Sequence, residues 1–369
     1  MVKGFVCARI GHCDPMNASE SADPSERVAF PVRVPLERFF DALKSLLGAP
    51  GPFMSLYLPV HDDAARAASL EAVMSSADLT ADQQAFARSL LDQERVADDA
   101  MLVGLLASDG TSFVQSFPEG PDAPTVEVSA LPRLGAIVEA EQRLRHHVLA
   151  VVSADGVDVL TFPRHGRATL HRAAPGDAPY TALLIAEAAK KTETPLVLIA
   201  ADAELAADLV ARVSLDVPIE TRVQVVDADA GLDAIADRTV QQVATDRAVA
   251  AVQSIRAWKF ERSHGLAAGG VQAALATLRN DDVRLVLVTD AVDDQRQAWF
   301  GSSPTAVAMD LEDASSTDAI TEDLVPARLV DVVLRSALLR DIPVTVVPDL
   351  PDETLRDGVG VVRSAVVAP

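Results

Sequence analysis

Cysteine is nearly absent from this sequence. Only Cys7 and Cys13 occur, both within the first 13 of 369 residues. No disulfide framework can therefore support the body of the chain. With His12 they make three metal-capable side chains, but no second Cys or His cluster completes a closed site, and no metal is expected. Aromatic residues are also scarce, at 4%, while hydrophobic content is 49%. The core must be built from Ala, Val and Leu, which suffices to fold and excludes global disorder. No apolar run approaches ~18 residues, so no membrane span is expected. The opening "MVKGFVCARIGHCDPMN" has no apolar secretory segment, and the expected location is cytoplasmic. Familiar catalytic signatures are missing too. There is no G-x-x-x-x-G-K-[ST], H-E-x-x-H, paired C-x-x-C or G-x-S-x-G. "GVGVV" near the end lacks the third glycine and the helix of a dinucleotide fingerprint. His146 and His147 are adjacent and would face opposite ways on a strand, a poor metal geometry. An ordinary hydrolase is unsupported, and no cofactor is expected.

What is present is negative charge. The formal net charge is −22, and only five of the 32 basic residues are lysines. As a whole such a chain should repel nucleic acid. Charges are screened beyond about 8 Å at physiological salt, however, so local distribution decides binding. From Gln142 to Arg172 five arginines (143, 145, 164, 167 and 172) stand against two aspartates (155 and 158). Four of the seven histidines lie there as well, at 146, 147, 165 and 171. Guanidinium groups suit phosphate oxygens, and imidazoles can stack on bases. Two readings of this island stand: a solvated hairpin, or an RNA contact through Arg143, Arg145, Arg164, His165, Arg167, His171 and Arg172. A smaller cluster, Arg256, Lys259, Arg262 and His264, reads as a solvated helix end, where positive charge complements the dipole.

Length gives two or three domains at a prior of ~150 residues each. Residues 1–33 show no helix or strand period and read as a flexible extension. Residues 34–145 form an N-terminal α/β unit. "PLERFFDALKSLLG" is a helix, "PFMSLYLPV" alternates like a strand, and Thr80 with Gln83 makes a capping box that opens another helix. Two strands flank the Asp109-Gly110 turn, and "PTVEVSAL" is a further strand. Residues 146–260 begin with three strands, followed by alternating helices and strands and a long helix from about Leu232. Residues 261–369 continue with "GGVQAALATLRN" as a helix and "VRLVLVTD" as a buried strand. "TEDLVPARLVDVVLRSALLRD" reads as mostly helical, with Pro326 in its first turn. The acidic run Asp310 to Asp323 reads as a solvated loop. The fold class is α/β: three domains with mixed sheets, the last an α/β/α layer domain.

The pattern "VQAALATLRNDDVRLVLV" resembles the opening of the carboxy-terminal domain of Pelota and the archaeal and eukaryotic class-one release factors. "DGVGVVRSAV" is similar to that domain's final glycine-rich strand, and "HHVLAVVSADGVDVLTF" to the first strands of the family's central domain. The resemblance covers roughly residues 146–369. From "GAPGPFMSLYLPV" onward it is closer to the bacterial branch, whose actinobacterial members resemble ribosome-hibernation factors of the Balon type. It implies a 70S ribosome partner. The first domain would meet rRNA of the decoding centre, the second the peptidyl-transferase region, and the third EF-Tu or the stalk base. A monomer without membrane contact is expected.

One departure matters. Hydrolytic members carry a Gly-Gly-Gln loop between a central strand and the next helix, where glycines permit an exposed tip and a backbone amide positions water. Here that interval is "RAAPGDAPY", Arg172 to Tyr180, with one glycine and no glutamine. Gly269-Gly270-Val271-Gln272 is no substitute, because Val271 interrupts the tripeptide and the segment reads as a helix start. Nor is the Asn-Ile-Lys-Ser stop-codon motif seen in the first domain. The resemblance therefore implies a factor that fills a vacant ribosomal A site without releasing peptide, and no enzyme is expected. The alternative is a peptidyl-tRNA hydrolase or ribosome-rescue factor of the same shape, with His171 positioning the water.

Overall fold

The computed structural model describes residues 39–59, 63–92, 101–117, 123–143, 146–162, 168–227, 231–280, 282–289, 294–315, 324–347 and 355–364. The expected extension at 1–33, with Cys7, His12 and Cys13, lies outside them. The architecture is mixed α/β, with four sheets. Among the described residues no helix is long and apolar enough to cross a membrane, and no cluster of His, Cys, Asp or Glu could hold a metal ion.

The first sheet is antiparallel, in the order β3-β2-β1-β4 (Ser112–Phe117, Met101–Ala107, Phe53–Pro59 and Thr125–Ser129). Helix α1 (Phe39–Leu47) precedes it, α2 (Asp63–Ser76) and α3 (Ala81–Ser89) follow β1, and α4 (Gly135–Arg143) closes the unit. The Thr80 capping box is present, with the Gln83 amide N–H on the Thr80 hydroxyl and the Thr80 N–H on Gln83 Oε1. Strand β1 forms where the alternation of "PFMSLYLPV" predicts a strand. All seven residues are buried, because both faces of the sheet are covered. Met54, Leu56 and Leu58 meet Leu70, Met74 and Phe86 on one side, whereas Phe53 and Tyr57 meet α1 and α4 on the other.

The central sheet has the order β7-β6-β5-β8-β9 (Thr169–Ala173, Gly156–Phe162, His147–Ser153, Leu196–Ala201 and Arg222–Asp227). The first three strands form an antiparallel meander, and β5, β8 and β9 run parallel. Helices α5 (Ala178–Thr192) and α6 (Ala203–Asp216) cover one face through Ile185, Leu209 and Val213. The other face receives the first half of α7 (Leu232–Ser263) through Ile235 and Val243. At 32 residues α7 is about 48 Å long. Its second half presents Ile255 and Trp258 to a different sheet. At ~100° per residue the two covered stripes lie about 140° apart around the axis, so the helix serves two layers from two of its sides.

That other sheet is β10-β16-β11-β15 (Ala267–Gly269, Val359–Arg363, Val283–Val288 and Val344–Val346). It is layered between α7 on one side and α8 (Val271–Asn280) and α10 (Leu329–Leu339) on the other. The expected α/β/α arrangement is thus observed, with its outer helix supplied by α7. Trp258 is fully buried, and its indole Nε1 donates to the Ala268 carbonyl at 3.0 Å. A Cβ on Gly269 would lie 2.6 Å from the Trp258 ring and one on Gly360 2.8 Å from its Nε1. This explains the paired glycines better than tolerance at a helix end. Gly269 admits the indole, and Gly270, at φ +90°, turns the chain into α8.

The fourth sheet is small, β13-β12-β14 (Val307–Ala308, Gln297–Phe300 and Val325–Arg328). Here two expectations are corrected. Pro326 stands in β14, an edge strand where its missing N–H costs no ladder bond, and the helix begins only at Leu329. The acidic run is not all loop. Leu311–Ser315 forms the short helix α9, whose Asp313 accepts from Arg279 at 2.7 Å and from the Met309 amide at 3.0 Å. Residues 316–323 lie outside the described residues.

The first and last units share one apolar cluster, running from Phe39, Phe113 and Ile137 to Leu275, Val333 and Val361. Polar pins cross it. Asp331, 2% exposed, accepts the Leu134 amide at 2.8 Å and has Arg328 Nη1 at 3.8 Å. The Gln142 side chain donates to the Val344 carbonyl at 2.8 Å and accepts the Val346 amide at 3.0 Å. At the rim Lys44 pairs with Asp341.

Two outcomes follow for stability. Asp331→Ala leaves the buried Leu134 N–H without its acceptor and removes the carboxylate that faces Arg328, and should cost on the order of 3 kcal/mol in urea unfolding. Asp331→Asn, which retains an acceptor, should cost visibly less. Gly360→Ala should cost about 1–3 kcal/mol by overpacking Trp258, with a red-shifted tryptophan emission. A variant as stable as the parent would contradict the packing described.

Candidate nucleic-acid interface

The basic island falls on α4, the meander of the central sheet and their connections. Arg143 ends α4. Arg145, Arg164, His165 and Arg167 lie outside the described residues, as does the side chain of Arg143. His171 and Arg172 are placed, both exposed on β7, an edge strand. Being consecutive in a strand, they leave opposite faces of the sheet. Arg172 lies opposite Asp158 in the register, with its Nε 3.3 Å from the carboxylate. That pair is largely solvated, so the guanidinium can exchange Asp158 for a phosphate at small cost. His171 lies opposite Val159. The two described members of the island therefore do not form one grip; each could meet only a different part of a folded RNA.

The adjoining connection is more informative. Strand β7 ends at Ala173 and α5 starts at Ala178, so only Ala174, Pro175, Gly176 and Asp177 join them. Asp177 is the N-cap of α5, and its carboxylate accepts the Tyr180 amide at 2.9 Å. Its own carbonyl accepts the first helical bond, from Thr181 at 3.0 Å. Pro179 in the first turn needs no donor there. The Tyr180 ring lies against Gly176, where a Cβ would come within 2.6 Å of Cδ1. Behind it, a Cβ on Gly156 would be 2.6 Å from the Ala173 carbonyl oxygen. Proline, cap and close backbone contacts hold the connection short and folded down. It has no length to project a mobile tip.

The second basic cluster is drawn together by the last turns of α7. Arg256, Lys259, Arg262 and His264 are all exposed. Arg262 places its guanidinium 5.1 Å from the Trp258 ring centroid. Between them stands Phe260, which composition and spacing had not singled out. Its ring pairs with that of His264, centroids 4.4 Å apart. The signal lay in Ile255 and Trp258, whose spacing of three assigns the buried stripe and leaves residue 260 off it.

No family model matches this chain, and no curated protein matches it. Among solved structures, it is similar to Pelota from Archaeoglobus fulgidus, at 12% identity over 88% of this chain and 92% of that one, with a TM-score of 0.36. It is also similar to Dom34 of S. cerevisiae, a translation termination-like factor, at 11% identity over 72% and 80%, with a TM-score of 0.39. An archaeal translation termination factor, aRF1, matches at 14% identity over 90% and 98%, with a TM-score of 0.22. Likenesses at this level fix neither activity nor partner.

Asp177→Ala should remove about 1 kcal/mol from α5. Hydrogen exchange of the Tyr180 and Thr181 amides should quicken while β8 stays protected. Unchanged exchange at both would mean that the cap does not hold the connection.

Proposed function

We propose that this chain is a ribosome-binding translation factor that occupies the vacant A site without hydrolysing peptidyl-tRNA, and that it acts in ribosome hibernation as Balon-type factors do. The observation that carries the non-hydrolytic part is the four-residue connection from Ala174 to Asp177, capped at Tyr180. Ester hydrolysis by the release-factor route needs a glycine-rich tip that can reach the peptidyl-transferase centre, and this segment offers none. Docking follows from the resemblance of residues 146–369 to the Pelota and class-one release-factor pattern. The order of units is consistent with it: an antiparallel sheet, a five-stranded mixed sheet, then the layered unit that begins at β10. Arg143, Arg145, Arg164, His165, Arg167, His171 and Arg172 would supply rRNA contacts in a chain whose overall charge opposes them. EF-Tu is a further partner in this reading, with the last unit as its contact.

Purified protein should pellet with vacant 70S ribosomes, and pelleting should fall as salt rises, because phosphate contacts release counterions. Absence of co-sedimentation at low salt would end the ribosomal reading. Added to ribosomes holding peptidyl-tRNA, the protein should release no peptide. Release that is lost in His171→Ala would replace this reading with a hydrolase.

A further inference from the structure

A large apolar side chain at a charged helix end needs a reason. Phe260 is 63% exposed, although Trp258 two positions earlier is fully buried. The chain has few aromatics to spend, and this one is turned to solvent. Its ring pairs with His264, whose Nδ1 in turn meets the Phe260 carbonyl oxygen at 2.9 Å, so both rings are held in place by the helix end. Arg256 lies one turn earlier on the same face and Lys259 is the neighbouring exposed cation, whereas Arg262 turns its guanidinium onto the Trp258 ring on the far side of the helix. The acidic side chain within this stretch, Glu261, is already engaged by Arg284. A fixed aromatic pair with Arg256 and Lys259 beside it, in a chain of net charge −22, is placed against the field of the whole molecule.

Helix-dipole complementarity explains cations in a last turn, but not an exposed ring among them. Rings that present a π-face between cations fit the planar base and anionic backbone of single-stranded nucleic acid. An acidic peptide would satisfy the cations but gain little from the rings. We propose that the C-terminal end of α7 is a contact site for single-stranded RNA. The Phe260–His264 pair is its stacking platform, and Arg256 and Lys259 are its phosphate ligands. The site is separate from the island on the central sheet and does not depend on the ribosomal reading.

The test is fluorescence anisotropy with a labelled twelve-nucleotide oligouridylate, using the full chain and no ribosome. Phe260→Ala, at an exposed position, should leave the circular dichroism spectrum unchanged and weaken binding about tenfold, whereas Phe260→Tyr should bind as the parent does. In Arg256→Gln/Lys259→Gln the slope of log affinity against log salt should become shallower by about 1.4, for two lost phosphate contacts on a single strand. Lys190→Gln/Lys191→Gln, two exposed cations on α5 that belong to neither surface, should change neither. No binding by the parent would overturn the proposal. So would equal binding by Phe260→Ala, or complete displacement of the oligonucleotide by polyglutamate at equal charge. Pelleting with ribosomes that persists while the oligonucleotide fails to bind would leave the ribosomal reading standing without this site.

Discussion

A buried carboxylate survives only where its charge is met, and Asp331 is met from two units of the chain at once. Its Oδ1 takes the Leu134 amide and its Oδ2 faces Arg328, inside a seam that is otherwise apolar. Register along that seam is fixed by this contact in a way that Leu and Val packing alone would not fix it, because apolar surfaces slide while a buried hydrogen bond does not. The first and last sheets consequently behave as parts of one core. The clusters of the central sheet, by contrast, draw only on residues between Val148 and Val243.

Helix α7 joins these two bodies. Its first half closes the central sheet, and its second half closes the layered unit through Trp258. The helix end that carries Phe260 and its cations is therefore a fixed position relative to the last sheet, whereas β7 and the capped connection belong to the central one. Two basic surfaces are thus held on different bodies by one continuous helix.

Much of this was legible in the amino acids. The Thr80 capping box, the Asp109-Gly110 turn, the meander at 147–172, the long helix and the glycine-led start of α8 all rest on local rules, and local rules read without tertiary knowledge. What could not be read depended on partners far away in the chain. The alternation of β1 does not say that a second set of helices covers its other face. "LVPARLVDVVL" has a helical period throughout, and only pairing with β12 draws Val325–Arg328 into a strand. Asp313 looks like one more surface acid until Arg279 meets it. At the candidate interface, the arginine and histidine positions were visible as composition. The pairing of Arg172 with Asp158 is a property of strand register, and the exposure of Phe260 is a property of where α7 lands.

Gln142 has one more implication. By donating to Val344 and accepting from Val346, its side-chain amide imitates the backbone of a neighbouring strand along β15, the last strand on that side of its sheet. An open border of this kind ordinarily invites another polypeptide to zip on and propagate. A single glutamine, presented by the end of α4, occupies that border and closes it to such growth.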